Sequence, residues 1–116
     1  MDLLEELASE GVDITGGMQR LGGKHDFYVK MLLRVPPLIE EKPVTAELIR
    51  TNPERAVENA HALKGVAGNL SITPLYESYS KIVVLLREGN GEAAAVALEE
   101  ILPVQKRILS IIERYK

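Results

Sequence analysis

The chain has 116 residues, a formal net charge of −3 and 46% hydrophobic residues, which suits one domain over residues 1–116 with its own core. The acidic excess leaves no basic stripe for nucleic acid, and zero cysteines exclude disulfides and thiolate metal sites. Apolar runs stay well below the roughly 18 residues that span a bilayer, and no signal-peptide pattern appears. We therefore expect a soluble cytoplasmic monomer that contacts neither membrane nor nucleic acid.

In the N-terminal half the sequence predicts three short helices and, third in order, one longer helix, all separated by breaker residues. Thr15 is expected to cap the second helix and Gly22-Gly23 to close it, because glycine accepts the left-handed backbone that ends a helix. Pro36-Pro37 should kink or split the third helix, since proline donates no backbone hydrogen bond. The predicted spans are Asp2 to Ala8, Thr15 to Leu21, about Asp26 through Ile39, and Thr45 to Arg50.

Three longer helices are predicted in the C-terminal half. Asn52-Pro53-Glu54 is a helix start signal, with a capping side chain, a proline at the first helical position and an early acid. Thr73-Pro74 repeats that signal. The predicted spans are Asn52 to about Leu70, Thr73 to Gly89-Asn90-Gly91, and Glu92 to Tyr115 with a bend at Pro103.

The fold class follows from the short connections between these helices. Consecutive amphipathic helices with short connections pack as antiparallel neighbours. We therefore predict an all-α fold, an up-and-down antiparallel four-helix bundle with one or two short extra N-terminal helices. Asn59 does not fit this pattern, because its helical angle places it near the core. Its side chain is expected either to bond a backbone carbonyl or to lie at the rim of the bundle.

The segment from His61 to Leu70 places a histidine in the middle of the first long helix. At about 100° per residue, Lys64, Gly65 and Gly68 share the helix face of His61. Each interior glycine costs the helix about 1 kcal/mol relative to alanine. Two glycines beside one histidine indicate that the space above the imidazole is kept empty, so that a large partner surface can approach the ring.

Two ordinary structural roles compete with that interpretation. A helical histidine is commonly a plain surface residue, and paired glycines commonly let two helices pack closely. The alternative for Lys64 is a solvated lysine that contributes little. Glu54, Glu58 and Asn69 lie on the same side as His61, and a tight helix contact rarely holds so many polar groups. We therefore expect this face to be exposed.

The motif His61-x-Leu-Lys-Gly65, followed by Asn69-Leu70, resembles the signature of histidine phosphotransfer domains, which relay phosphoryl groups in two-component signalling. The similarity extends to the segment from Gly11 to Gly23, to Phe27-Tyr28 and to Leu32-Leu33. It covers residues from about 11 to 90. The chain departs from the family at Pro36-Pro37, where the helix is usually smoother. It departs again at Ser71-Ile-Thr-Pro74, where a small Gly-Ala step is common.

The resemblance implies that His61 accepts a phosphoryl group from a receiver-domain aspartate and passes it to another receiver aspartate. Lys64 would stabilise the phosphoryl charge, because an ammonium about 6 Å away gains about 3 kcal/mol at an effective dielectric of 20. Mg²⁺ would belong to the receiver, so the chain is expected to need no cofactor or metal of its own. The expected partners are response-regulator receiver domains, with a hybrid sensor kinase in cis as a further option.

The resemblance also implies a surface around His61 that contacts the receiver. Gly65 would let a receiver loop close over the ring, while Val57 would belong either to an apolar docking patch or to an ordinary interhelical contact. The expected partner-binding residues are Val57, Glu58, Gly65, Gly68 and Asn69.

Two other functions compete with the phosphocarrier. One is a helical adaptor that docks receivers without accepting phosphate, and the other is the phosphoacceptor module of a larger histidine kinase. The chain has no Walker loop and no ATP-binding glycine pattern, so it is expected to be a phosphotransfer intermediate and not a complete kinase. His61 argues against the adaptor, because a pure docking protein has no use for the imidazole.

Overall fold

The computed structural model describes residues 2–116, which form eight α-helices and no β-strand. The prediction of an all-helical fold is confirmed. Across these residues no helix is both long enough and apolar enough to cross a bilayer. The helices are α1 (Leu3–Ser9), α2 (Ile14–Arg20), α3 (His25–Leu32), α4 (Val35–Glu41), α5 (Ala46–Thr51), α6 (Pro53–Asn69), α7 (Thr73–Arg87) and α8 (Gly91–Glu113).

Five helices of six to eight residues precede α6 in the described chain, more than the one or two short extra helices expected. One cause is the predicted split of the third helix into α3 and α4. Pro36 and Pro37 have no backbone N–H to donate to the carbonyls of Leu32 and Leu33. The α-helical ladder therefore cannot continue across this point, and α4 begins at Val35 with a proline in its first turn.

The cap of α2 differs from the prediction. The carboxylate of Asp13, not the hydroxyl of Thr15, accepts the hydrogen bond from the backbone N–H of Gly16, at 3.1 Å. Asp13 is held there by its own backbone N–H, which donates to the carbonyl of Ser71 at 2.9 Å. The helix consequently starts at Ile14, and Thr15 already lies inside it. The long-range contact with Ser71 could not be read from local sequence.

Gly17 accounts for how α2 packs against the end of α6. A Cβ at Gly17 would lie 2.6 Å from the carbonyl oxygen of Leu70 and 2.6 Å from the ring and hydroxyl of Tyr28. Only glycine allows this close approach. The packing brings the C-terminal turn of α2 beside the C-terminal half of α6.

The three long helices α6, α7 and α8 form the main body of the protein. Residues 70–72 join α6 to α7, and residues 88–90 join α7 to α8. Each pair packs extensively, so the chain reverses at each short connection and the neighbours run antiparallel. The core between them is aliphatic, with Tyr79 as a buried exception whose hydroxyl donates to Oε1 of Gln105 across α7 and α8, at 2.5 Å.

Asn59 takes the first of its two predicted roles. Its side-chain amide donates to the carbonyl of Pro43 at 2.7 Å, and the residue is only 6% exposed. This bond ties the segment before α5 to the middle of α6.

The start of α7 was predicted at the right residue, but Thr73 is not a cap. Its hydroxyl contacts the carbonyl of Ser71 at 3.4 Å, and no side chain caps the helix.

Candidate functional site

A shallow open depression of about 540 Å³ lies beside the C-terminal half of α6. Three parts of the chain meet there: the two ends of α2, the face of α6 that carries His61, and the turn into α7 with the first turn of that helix. The depression therefore exists only in the folded chain. Its lining residues are Asp13, Arg20, His61, Lys64, Gly65, Gly68, Asn69, Ser71, Thr73, Tyr76 and Glu77.

His61 lies in the middle of α6 with an exposed side chain, as the helical pattern predicted. Neither ring nitrogen forms a hydrogen bond or ion pair with any residue from 2 to 116. Leu63 and Ala67 on the opposite side of the helix are buried in the core. The helix is thereby held in a fixed rotation, and the imidazole faces the depression.

Two cations line the same depression. Lys64 is half-buried on α6 one turn after His61, and Arg20 is exposed at the end of α2. Within the described chain neither side chain is ion-paired with a carboxylate. Asp13 and Glu77 also line the depression, so it holds charges of both signs. The carboxylate of Asp13 is engaged at the N-terminus of α2.

The two glycines of the motif have different surroundings. A Cβ at Gly65 would have no atom within 4 Å outside its own helix backbone. A Cβ at Gly68 would instead lie 3.0 and 3.1 Å from two ring carbons of Tyr76 on α7. The open space expected over both glycines is therefore present only at Gly65. Gly68 makes room for a neighbouring aromatic ring, which is the packing role that competed with the functional one.

Tyr76 is nevertheless part of the same surface. Its side chain is 42% exposed while its ring rests on Gly68. Aromatic rings that are half-exposed and fixed on one face are common contact residues in protein interfaces. Tyr76 therefore forms one wall of the depression, on the side where α7 begins.

Val57 and Glu58 lie away from this depression. They line a second one, of about 620 Å³, at the N-terminal end of α6 and beside the connection between α7 and α8. Val57 is half-buried and packs against the core, as an ordinary interhelical contact would. Glu58 lies 3.6 Å from the guanidinium of Arg55 on its own helix. The predicted partner-binding residues are therefore divided between two places on the surface.

Asn69 is exposed at the end of α6 and lies between two depressions. It lines the one that contains His61 and also a neighbouring, mostly apolar one of about 400 Å³ between α4 and α6. Met31, Val35 and Leu38 contribute to the apolar walls of the latter. Asn69 thus connects the polar surface around His61 to an apolar strip.

The described residues contain no group of three or more His, Asp or Glu side chains placed to hold a metal ion. His25, the other histidine, is exposed at the start of α3, where its Nδ1 lies 3.1 Å from the carboxylate of Asp26. It lines none of the depressions described above. His61 is consequently the histidine with a structured polar surface around it.

Sequence patterns missed Arg20, Thr73, Tyr76 and Glu77 as members of this site. Helical periodicity relates residues of one helix, and these four belong to other helices. Arg20 lies inside the segment that resembles phosphotransfer domains, but that resemblance assigned it no role. A weak sequence signal for Tyr76 did exist, because an aromatic residue on the outer face of an amphipathic helix is expected to be exposed to solvent.

Comparison of the chain with protein-family models, with curated proteins and with solved structures gives no match. What the site can do is therefore argued from its own geometry. The exposed imidazole, which forms no hydrogen bond within residues 2–116, is a nucleophile. Two cations without carboxylate partners in the same part of the chain supply positive charge, and the unobstructed glycine gives access to the ring.

Proposed function

We propose that this protein is a phosphocarrier in a His–Asp phosphorelay, in which His61 takes a phosphoryl group from one receiver-domain aspartate and passes it to another. The observation that carries the proposal is the open surface of α6 at Gly65, directly beside an exposed imidazole. In this role the chain is a cytoplasmic monomer that meets receiver domains one at a time. The receiver supplies Mg²⁺ and the acidic pocket.

The energetic cost of Gly65 supports the proposal. An interior helical glycine costs about 1 kcal/mol relative to alanine, and no packing contact requires one at this position. Gly17 shows the contrast, since a Cβ there would collide with Tyr28 and Leu70. No packing contact within the described protein explains Gly65, which lies one turn from His61. A partner that must come close to the imidazole does explain it.

On this chain the reaction requires a nucleophile, positive charge and room for the partner, and the candidate site has all three. A ring nitrogen of neutral His61 attacks phosphorus of the receiver's aspartyl phosphate and forms a P–N bond. The P–O bond breaks, the aspartate carboxylate leaves with the electron pair, and the proton on the other ring nitrogen passes to water. Phosphoryl transfer depends mainly on positioning and on neutralising charge. Lys64 stabilises the negative charge of the phosphoryl group on His61.

We also propose that α3 with α4, α6, α7 and α8 form an up-and-down four-helix bundle. Support comes from the packing of α4 on α8, of α6 on α7 and of α7 on α8. In such a bundle α6 presents one face to the core and the other to a partner, which is the arrangement a phosphocarrier needs.

The experiment is transfer of radiolabelled phosphoryl groups from receiver domains. Each receiver encoded in the source genome is labelled with acetyl phosphate, freed of excess reagent and mixed with the protein. At least one is expected to transfer label to His61, giving an acid-labile and base-stable product. His61→Gln should abolish that label, and His25→Gln is the matched control that should keep it.

The competing functions predict other results. An adaptor would bind a receiver in a pull-down assay yet take no label from any of them. A module of a larger kinase would take label from ATP when its catalytic domain is added in trans, and show none from receivers. Either outcome contradicts the phosphocarrier proposal.

A further inference from the structure

Of the two cations that line the depression, Arg20 has no role in the proposed function so far. Its Nε donates to the hydroxyl of Ser71 at 3.3 Å, and this is its one side-chain hydrogen bond within residues 2–116. A guanidinium has five N–H donors, so the other four stay available. Arg20 lines the depression together with His61 and Lys64.

Ser71, the residue that contacts Arg20, has an unusual backbone conformation. Its backbone has φ of +55°, the left-handed region that non-glycine residues rarely occupy, and Ser71 is the only non-glycine residue between 2 and 116 with a positive φ. The residue is buried, and its carbonyl accepts the backbone N–H of Asp13. A glycine would suit this backbone better, but it would lack the hydroxyl that contacts Arg20.

A role for Arg20 in stabilising α2 alone would leave part of its surroundings unexplained. An arginine in the last turn of a helix compensates the helix dipole. That role requires neither the contact with Ser71 nor a position on the wall of the depression. A salt bridge is excluded among the described residues, since no carboxylate pairs with Arg20.

We propose that Arg20 is a second phosphoryl-binding residue of the site, positioned by the hydroxyl of Ser71, so that α2 and α6 hold the phosphoryl group on His61 between two cations. The guanidinium presents parallel N–H groups that match two phosphoryl oxygens, whereas the ammonium of Lys64 acts as a point charge. This inference rests on the proposed function. It adds that α2 contributes to the chemistry of the site.

The test uses phosphoramidate, a small donor that needs no receiver. A ring nitrogen of His61 attacks phosphorus, the bond between phosphorus and the donor nitrogen breaks, and ammonia leaves with the electron pair. Ammonia then takes up the proton released from the other ring nitrogen. The rate of phosphohistidine formation is followed by ³¹P NMR on the intact protein.

Two variants test the charge and its geometry. Arg20→Gln is expected to lower the rate about tenfold, equivalent to about 1.4 kcal/mol in the barrier. Arg20→Lys keeps the charge but lacks the planar fork, and should recover part of the loss. Arg50→Gln removes a cation from α5 outside the depression and is the matched control. Equal rates for Arg20→Gln and Arg50→Gln would overturn the proposal.

Two further variants test the positioning by Ser71. Ser71→Gly and Ser71→Ala both remove the hydroxyl, while only glycine relaxes the left-handed backbone. Both should lower the rate about threefold and to the same extent, with circular dichroism showing an unchanged fold. A loss confined to Ser71→Ala would assign the effect to the backbone and overturn the role of the hydroxyl.

Failure of this inference can be told apart from failure of the phosphocarrier proposal. Suppose that phosphoramidate labels His61, that Arg20→Gln slows this labelling, and that no receiver transfers a phosphoryl group to the protein. The role of Arg20 in binding the phosphoryl group then stands, and the phosphocarrier proposal fails. If receivers transfer phosphoryl groups to the wild-type protein and to Arg20→Gln at equal rates, and phosphoramidate labelling is also equal, the relay stands and the role of Arg20 falls.

Discussion

The hydroxyl of Tyr28 in α3 donates a hydrogen bond to the backbone carbonyl of Leu70, the C-cap residue directly after α6, at 2.8 Å. Gly17 of α2 lies directly against the same pair of groups. Three helices therefore meet at one buried polar contact. Because this contact places α2 beside the end of α6, Arg20 and His61 line the same depression.

Gly17→Ala is predicted to lower the free energy of unfolding by about 2 kcal/mol, because the added methyl would lie 2.6 Å from a backbone oxygen and a buried ring. Urea denaturation followed by circular dichroism measures the change. Gly23→Ala is a poor control because Gly23 has a positive φ. Gly65→Ala is the suitable control, because Gly65 lies in an open helical position. Equal effects of the two substitutions would refute the close packing at Gly17 as the cause.

Gly65→Ala is predicted to raise the free energy of unfolding by about 1 kcal/mol, since alanine is the better helix former and the new Cβ meets nothing. Gly65→Arg should also leave the fold intact, as judged by the same denaturation experiment. Under the proposed phosphocarrier function it should nevertheless block transfer from a receiver, because the arginine side chain would fill the space left open at Gly65. Wild-type transfer rates in Gly65→Arg would contradict the open-surface interpretation.

Stability should fall as the pH rises from about 10 to about 12. Burial raises the pKa of Tyr28 from 10.0 to about 12, and burial likewise raises the pKa of Tyr79 to about 12 against the opposing effect of its hydrogen bond with Gln105. A pKa that is higher in the folded state means that the native protein binds these protons more tightly. The stabilisation is therefore complete below pH 10 and is lost above it.

Urea denaturation between pH 8 and pH 11.5 measures this dependence. Tyr28→Phe should start from a lower stability, because the carbonyl of Leu70 loses its donor, and should show a shallower decline with pH. The exposed Tyr76 provides the control, and Tyr76→Phe should keep the wild-type slope. A flat profile for the wild-type protein would be inconsistent with the burial of both hydroxyls.

Ser71→Gly is predicted to change the free energy of unfolding by less than about 0.5 kcal/mol. Relief of the left-handed backbone, about 1 kcal/mol, is offset by the lost hydroxyl contact and by the greater freedom of glycine in the unfolded chain. Ser71→Val should lower stability by more than about 2 kcal/mol, because a β-branched residue is strongly disfavoured at this φ. Similar stabilities for the valine and glycine variants would show that the backbone there is not constrained.

The long helices could be predicted because their signals are local. A capping side chain followed by proline marked the start of α6 at Pro53, and Asn52 does accept the backbone N–H of Arg55 there. Local signals were less reliable where a distant contact competes. Asp13 replaces Thr15 as the cap of α2 because its backbone is bound to Ser71, 58 residues further along the chain.

The central part of the candidate site could also be read in advance, because His61, Lys64 and Gly65 belong to one helix face. Its remaining members could not be predicted, since Arg20 and Tyr76 belong to other helices. Helical periodicity does not describe how separate helices pack against one another. The same limit applied to Gly68. On the helix face it is equivalent to Gly65, and only the ring of Tyr76 distinguishes a glycine that packs from one that stays open.

The sequence by itself determined an all-helical chain and the face of α6 that carries an exposed histidine, because capping, proline placement and helical periodicity act over a few residues. Tertiary structure alone decided which side chains join that histidine. The close approach at Gly17 brings α2 to the end of α6, and the short connection after Leu70 brings the first turn of α7 to the same place. Contacts between residues far apart in the chain depend on how whole helices pack, and no local pattern encodes that packing.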